Sequence, residues 1–165
     1  MVTKSWSEND ELARKLISEG HEWEAIVADE LVLRGLDVEI QNQQVRDDVS
    51  IAFQNKYAFS FDLIVEGLRT QVKSRNVSKW HDPLYVCNLR SWLHVGEETD
   101  VWICIARQSK DMVCTSGDVV RNHGYVVSTY DSIRNIQSME VMCLDLHHWT
   151  PIDDLVDWLI SRRKS

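Results

Sequence analysis

FDLIVEGLRTQVKSR, residues 61–75, decides how the chain is read. Two apolar runs flank a glycine, and "VEGL" is a tight turn carried by Gly67, so the runs form a hairpin. Asp62 stands at the start of the first run, and Gln71 and Lys73 sit within the second. Strand alternation puts Gln71 and Lys73 on one face and Thr70 and Val72 on the other. The two polar heads then leave the backbone about 7 Å apart. Antiparallel pairing permits Asp62 to lie beside them.

Upstream, residues 7–34 read as helical. "SENDELARKLIS" has Ser7 and Asn9 as capping residues and Leu12, Leu16 and Ile17 at helical spacing. Gly20 interrupts, and "HEWEAIVADELVLRG" forms a second helix that stops at Gly35. "LDVEIQ" alternates as a first strand, "YAFSFDLIVEG" is the second and "LRTQVKS" the third. "VSKWHDPLYVCNLRSW" is polar and irregular. "DVWICIAR" (100–107) is the strongest buried-strand signal, with "DMVCTSG" (111–117) as its hairpin partner. "YVVSTY" and "VMCLDL" are further short strands. "TPIDDLVDWLISRRKS" reads as a terminal helix with Thr150 as N-cap and Pro151 at the first helical position. Its basic last turn suits a helix C-terminus.

This order, without repeat or linker, predicts one domain over 1–165 of α/β class, with a sheet flanked by helices. A length of 165 residues with 44% hydrophobic and 27% charged content fits a folded protein with a substantial core. No apolar run approaches the roughly 18 residues that cross a bilayer, and the N-terminus lacks a signal-type apolar stretch. A cytoplasmic protein with no membrane partner is expected. Cys87, Cys104, Cys114 and Cys143 include no CxxC pair and read as reduced thiols packed in strands. His147 and His148, on opposite faces of a strand, suit a metal site poorly.

The net charge of −8 argues against a nucleic-acid partner, but its distribution does not. Residues 1–40 carry 10 acidic and 4 basic groups, and residues 91–165 carry 11 and 7. Residues 41–90 carry 5 acidic and 7 basic groups, with Arg69, Lys73, Arg75 and Lys79 around the quoted stretch. A local basic patch suits phosphate.

Asp62 and Gln71 offer oxygens of the kind Mg²⁺ prefers. Lys73 is placed to hold an attacking water or offset charge on a phosphate. The ordinary alternative has Asp62 topping a strand, Gln71 facing solvent and Lys73 pairing with Glu66. The order of features tips the balance, for it resembles the PD-(D/E)xK nuclease superfamily with its restriction-endonuclease-like core. "GHEWEAIVADELVLRGLDVEI" resembles the superfamily's glutamate-bearing helix and first strand, with Glu24 the candidate glutamate. "FDLIVEG" supplies Asp62, and "TQVKS" supplies Gln71 and Lys73. "DVWICIARQSKDMVCTS" resembles the hairpin that follows in small resolvase-like members. The likeness spans about residues 16–117. Phe61 replaces the name-giving proline, and Gln71 replaces the usual acid, which removes one negative charge from the site.

The resemblance implies a central mixed β-sheet and a divalent-metal-dependent DNA endonuclease. It makes Asp62, Gln71 and Glu24 the ligands of Mg²⁺ or Mn²⁺, with Lys73 positioning the water. Arg75 and Lys79 are the candidate phosphate contacts, and Trp80 and Trp92 candidates for a base or a partner chain. DNA is the expected partner, and a homodimer or higher homo-oligomer is plausible for a small member that cuts both strands. The alternative is a non-catalytic nucleic-acid- or protein-binding module on the same fold.

Overall fold

The computed structural model describes residues 6–41, 61–131 and 136–163. Helix α1 (Trp6–Leu33) runs unbroken through Gly20. The expected break is absent because glycine inside a helix costs only about 1 kcal/mol relative to alanine and still makes its backbone bonds. Gly35 does stop the helix, at φ +88°. Gly35 N–H donates to Val32 O at 2.9 Å and Leu36 N–H to Leu31 O at 3.1 Å. This paired closure leaves Leu36 buried beside Leu31, the apolar contact that usually accompanies it.

Strand β1 (Val38–Ile40) pairs antiparallel with β2 (Leu63–Val65), which pairs antiparallel with β3 (Leu68–Arg75). The β2–β3 turn is the two-residue Glu66–Gly67, both at positive φ (50° and 81°). That is the twist-compatible hairpin turn the sequence predicts. Of "YAFSFDLIVEG", residues 57–60 lie outside the described residues, and the strand begins only at Leu63. β3 continues the sheet through a parallel pairing with β5 (Val101–Ala106), which pairs antiparallel with β6 (Met112–Ser116). β9 (Thr150–Pro151) closes this sheet, in the order β1-β2-β3-β5-β6-β9. The sheet is mixed, and the class is α/β.

The segment read as irregular holds β4 (Leu84–Asn88) followed by α2 (Leu89–His94). A register shift between Tyr85 and Cys87 leaves Val86 and Cys87 both buried, which erases the period-two signature. β4 joins β7 (Tyr125–Asp131) and β8 (Ile136–Leu144) in a three-stranded sheet ordered β4-β8-β7. Helix α3 (Gly117–His123) links β6 to β7. Helix α4 (Ile152–Arg163) ends the described chain. Thr150 is not its N-cap. Thr150 and Pro151 pair with Cys114 and Val113 of β6, and the Thr150 hydroxyl lies against Cys114.

Two apolar clusters sandwich the mixed sheet. On one face Val27, Ala28 and Leu31 of α1 and Ile152, Leu155 and Leu159 of α4 cover Val72, Ile103 and Ile105. On the other, Leu84 and Val86 of β4, Trp92 of α2 and Leu144 of β8 cover Trp102 and Cys104. All six residues of β5 are therefore buried, as expected of a strand covered on both faces. Each large aliphatic side chain so buried contributes about 1.5–3 kcal/mol. The four cysteines are free and buried in strands, as the spacing suggests. Trp92 is a core residue stacked on Trp102 at 6.3 Å between ring centroids, and Trp80 packs half-buried against the same cluster.

Candidate active site

β3 outruns β2. Leu63 pairs with Thr70, and the chain bends at Asp62, so on the β2 side no strand backbone is aligned with Val72. The Asp62 side chain takes that place. Its Oδ2 accepts from Val72 N–H at 2.8 Å, while its backbone donates to Thr70 O at 3.1 Å and accepts from Gln41 N–H at 2.9 Å. Three hydrogen bonds, one to the carboxylate and two through the backbone, thus fix Asp62 at the point where the sheet opens.

Glu24 reaches it from α1. Glu24 lies one turn before the core residues Val27 and Ala28 and is itself only 8% exposed. Its carboxyl is hydrogen-bonded to Asp62. Burial, and then the Asp62 charge, push Glu24 up to about 8, with Lys73 pulling the other way. Asp62 is raised as well, by burial, against the opposing effects of Lys73, the Val72 N–H and the Glu24 hydrogen bond. Two buried carboxyls hydrogen-bonded to each other, with an ammonium acting on both, titrate as a pair rather than singly.

The alternation across β3 holds. Thr70 and Val72 register with Val101 and Ile103 of the first cluster, Gln71 and Lys73 with Trp102 and Cys104 of the second. Gln71 is not solvent-facing: it is 4% exposed, and its Nε2 has no hydrogen-bond partner. Lys73 does not pair with Glu66, whose carboxylate holds Arg163 and, at 3.0 Å, the Asp37 N–H. Glu24, Asp62 and Lys73 are therefore brought together. Gln71 stands opposite Asp62 by register without a bond to it.

Arg75 has other work. Its guanidinium donates to Ser74 O at 2.9 Å, Tyr85 O at 2.8 Å and Val86 O at 3.2 Å, and lies 4.2 Å from the Tyr85 ring centroid. These contacts pin β3 to β4. Lys79 is exposed in the segment between those strands. Arg69 is held by Asp100, at 3.2 Å from its Nε. His21, one turn before Glu24, was not singled out from the sequence, yet its charge acts on Asp62. The signal available was its position three residues before Glu24, on the same helix face.

Among the described residues no group of three or more histidine, cysteine, aspartate or glutamate side chains is arranged to hold a metal ion. The donor set at Asp62 is of a different make-up, two carboxyls and an amide. The carboxyl pair suits a hard cation, whereas the atom of Gln71 left without a partner is Nε2, a donor that a cation does not take.

No family model and no curated protein matches the chain. Among solved structures, a bacterial homing endonuclease, I-Ssp6803I, overlaps 91% of this chain and 96% of its own. The two share 16% identity at a TM-score of 0.47. At that level the overlap assigns no function, and the chain's own side chains must carry the reading. No helix among the described residues is long and apolar enough to cross a membrane.

Proposed function

We propose that this protein is a divalent-metal-dependent endonuclease that hydrolyses DNA phosphodiesters at the Glu24–Asp62–Lys73 site. One observation carries the reading: a buried glutamate from a helix meets an aspartate fixed at a strand end, with the Lys73 charge acting on both. Folding has gathered three costly groups where a packed core would serve stability better, which is the signature of a working site.

In this reading Asp62, Glu24 and the Gln71 carbonyl hold Mg²⁺ or Mn²⁺. When bound, the cation supplies charge to the phosphate oxygens and acidity to water. Asp62, locked by Val72 N–H, sets the position of the set. Glu24 gives up its proton on loading and adds the negative charge that glutamine at position 71 lacks. Lys73, half-buried on β3, orients the attacking water and offsets charge growing on the phosphate. Arg75 acts mainly by bracing β3, and Lys79 is the better placed of the two for a backbone phosphate. A single 1–165 unit has few groups to read bases, so a homodimer and DNA shape are the proposed sources of selectivity.

Plasmid, linear and branched DNA incubated with Mg²⁺ or Mn²⁺ test this. Cation-dependent cleavage, lost in Asp62→Asn and Lys73→Met variants of unchanged fold, is expected. Salt-sensitive DNA binding without cleavage would instead assign the non-catalytic module, and neither binding nor cleavage would reject a nucleic-acid role.

A further inference from the structure

Three histidines from two separate stretches of the chain meet at the seam between the two sheets. His147 and His148 lie in a short 3₁₀ turn (Leu146–His148) that leads from β8 into β9. They do not point to opposite faces, as a strand would require. Their ring centroids are 4.0 Å apart. On the other side of His148, His123 at the end of α3 stacks at 4.5 Å with an interplanar angle of 20°. The His148 imidazole is thus sandwiched between two others.

The same turn is tied to everything around it. The Thr115 hydroxyl donates to His148 O at 3.0 Å, and Leu146 N–H donates to Asp82 Oδ1 at 2.9 Å. Asp145, just before the turn, accepts from the Tyr125 hydroxyl at 2.7 Å. The next residue, Trp149, is a buried member of the second cluster, and Thr150–Pro151 then pair with β6. The turn therefore anchors a core tryptophan and an edge strand at once.

We propose that the His123–His148–His147 stack is a proton-operated latch: closed while the rings are neutral, opened when acid charges them. Neutral imidazoles stack favourably. Two imidazolium rings at 4–4.5 Å repel, and the central ring has a charged or chargeable neighbour on both sides. The charged and titratable groups acting on His148 are His147 and Asp145 from its own segment and His123 from α3. Loss of water contact, then His147 and His123, hold His148 below the ordinary histidine value, and Asp145 opposes them. The sign follows. Where the folded value of a base lies below the unfolded one, the latch is at full strength above the ordinary histidine range. It weakens as pH falls through that range toward the lowered value. Opening releases the 145–151 segment, and with it the link between the second sheet and β6. The proposal is independent of the nuclease reading.

Imidazole NMR titration of the full chain, with amide exchange followed across residues 145–150, tests it. His148 is expected to titrate below an ordinary histidine, and to move up in both His123→Asn and His147→Asn. With the pH dependence of intrinsic exchange divided out, protection of the amides of 145–150 should fall at least several-fold as pH drops through that interval, and lose that pH dependence in His148→Asn. A His148 that titrates at or above the ordinary value in the unmutated protein overturns the latch. So does a wild-type turn whose protection ignores its titration.

Discussion

Glu24 holds its proton until about pH 8 in the folded chain but releases it near 4.5 when exposed to water. Between those values the native state binds a proton that the unfolded state has lost. Its contribution to stability is present below about 4.5 and is lost as pH rises through about 8. The metal-free protein should therefore weaken across that interval. Glu24→Gln, which keeps the shape and cannot ionise, should flatten the decline, as read from melting curves at pH 5, 6.5 and 8. Cation binding must displace the same proton. Calorimetry with Mn²⁺ at pH 7 in buffers of different ionisation enthalpy should show release approaching one proton per ion, and close to none in Glu24→Gln. Asp62 and Lys73 were legible in the sequence because strand alternation and the Gly67 turn fix their faces. The carboxyl pair was not, for it depends on how deeply α1 presses Glu24 against the bend at Asp62.

Helix α1 and the β6–α3 junction show how alike two glycines look in a sequence and how differently they behave. A methyl group at Gly20 would meet nothing within 4 Å. Gly20→Ala should raise stability by about 1 kcal/mol through helix propensity. At Gly117 the same methyl would sit 1.8 Å from the backbone oxygen of Thr99. Gly117→Ala should cost more than about 3 kcal/mol or prevent folding, since a backbone atom has no rotamer to yield. Denaturant melts of both variants check the pair. Element existence was legible wherever the pattern was unbroken, as in β5, the β2–β3 hairpin and the Gly35 stop. It failed at β4, where the shifted register buries consecutive residues. It failed again at Thr150–Pro151, where pairing with β6 outweighs a good capping sequence. His147 and His148 were misassigned for a related reason: a single 3₁₀ turn brings together side chains that a strand would separate.

Across the whole molecule the acidic ends and the basic middle set what DNA contact is possible. Of the four cations near the hairpin, Arg69 is tied to Asp100 and Arg75 to β4 carbonyls. That leaves Lys73 and Lys79 as the available pair for phosphate. Binding should accordingly show a shallow salt dependence, with a log–log slope of about −2 per subunit, and Lys79→Ala should reduce it by about 1. The α/β class and mixed sheet followed from the order of periodic segments. The second sheet did not, because β4 comes from a stretch far from β7 and β8 with no local signal that it pairs with them. The account stands or falls on Lys73, whose charge acts on both carboxyls. The most direct test is the single-turnover rate of duplex cleavage at saturating Mn²⁺ in wild type and Lys73→Met, with melting curves of both. The prediction is measurable cleavage by wild type and a loss of at least about 100-fold in the variant at unchanged stability. Equal rates in the two proteins, or no cleavage by either, would contradict it.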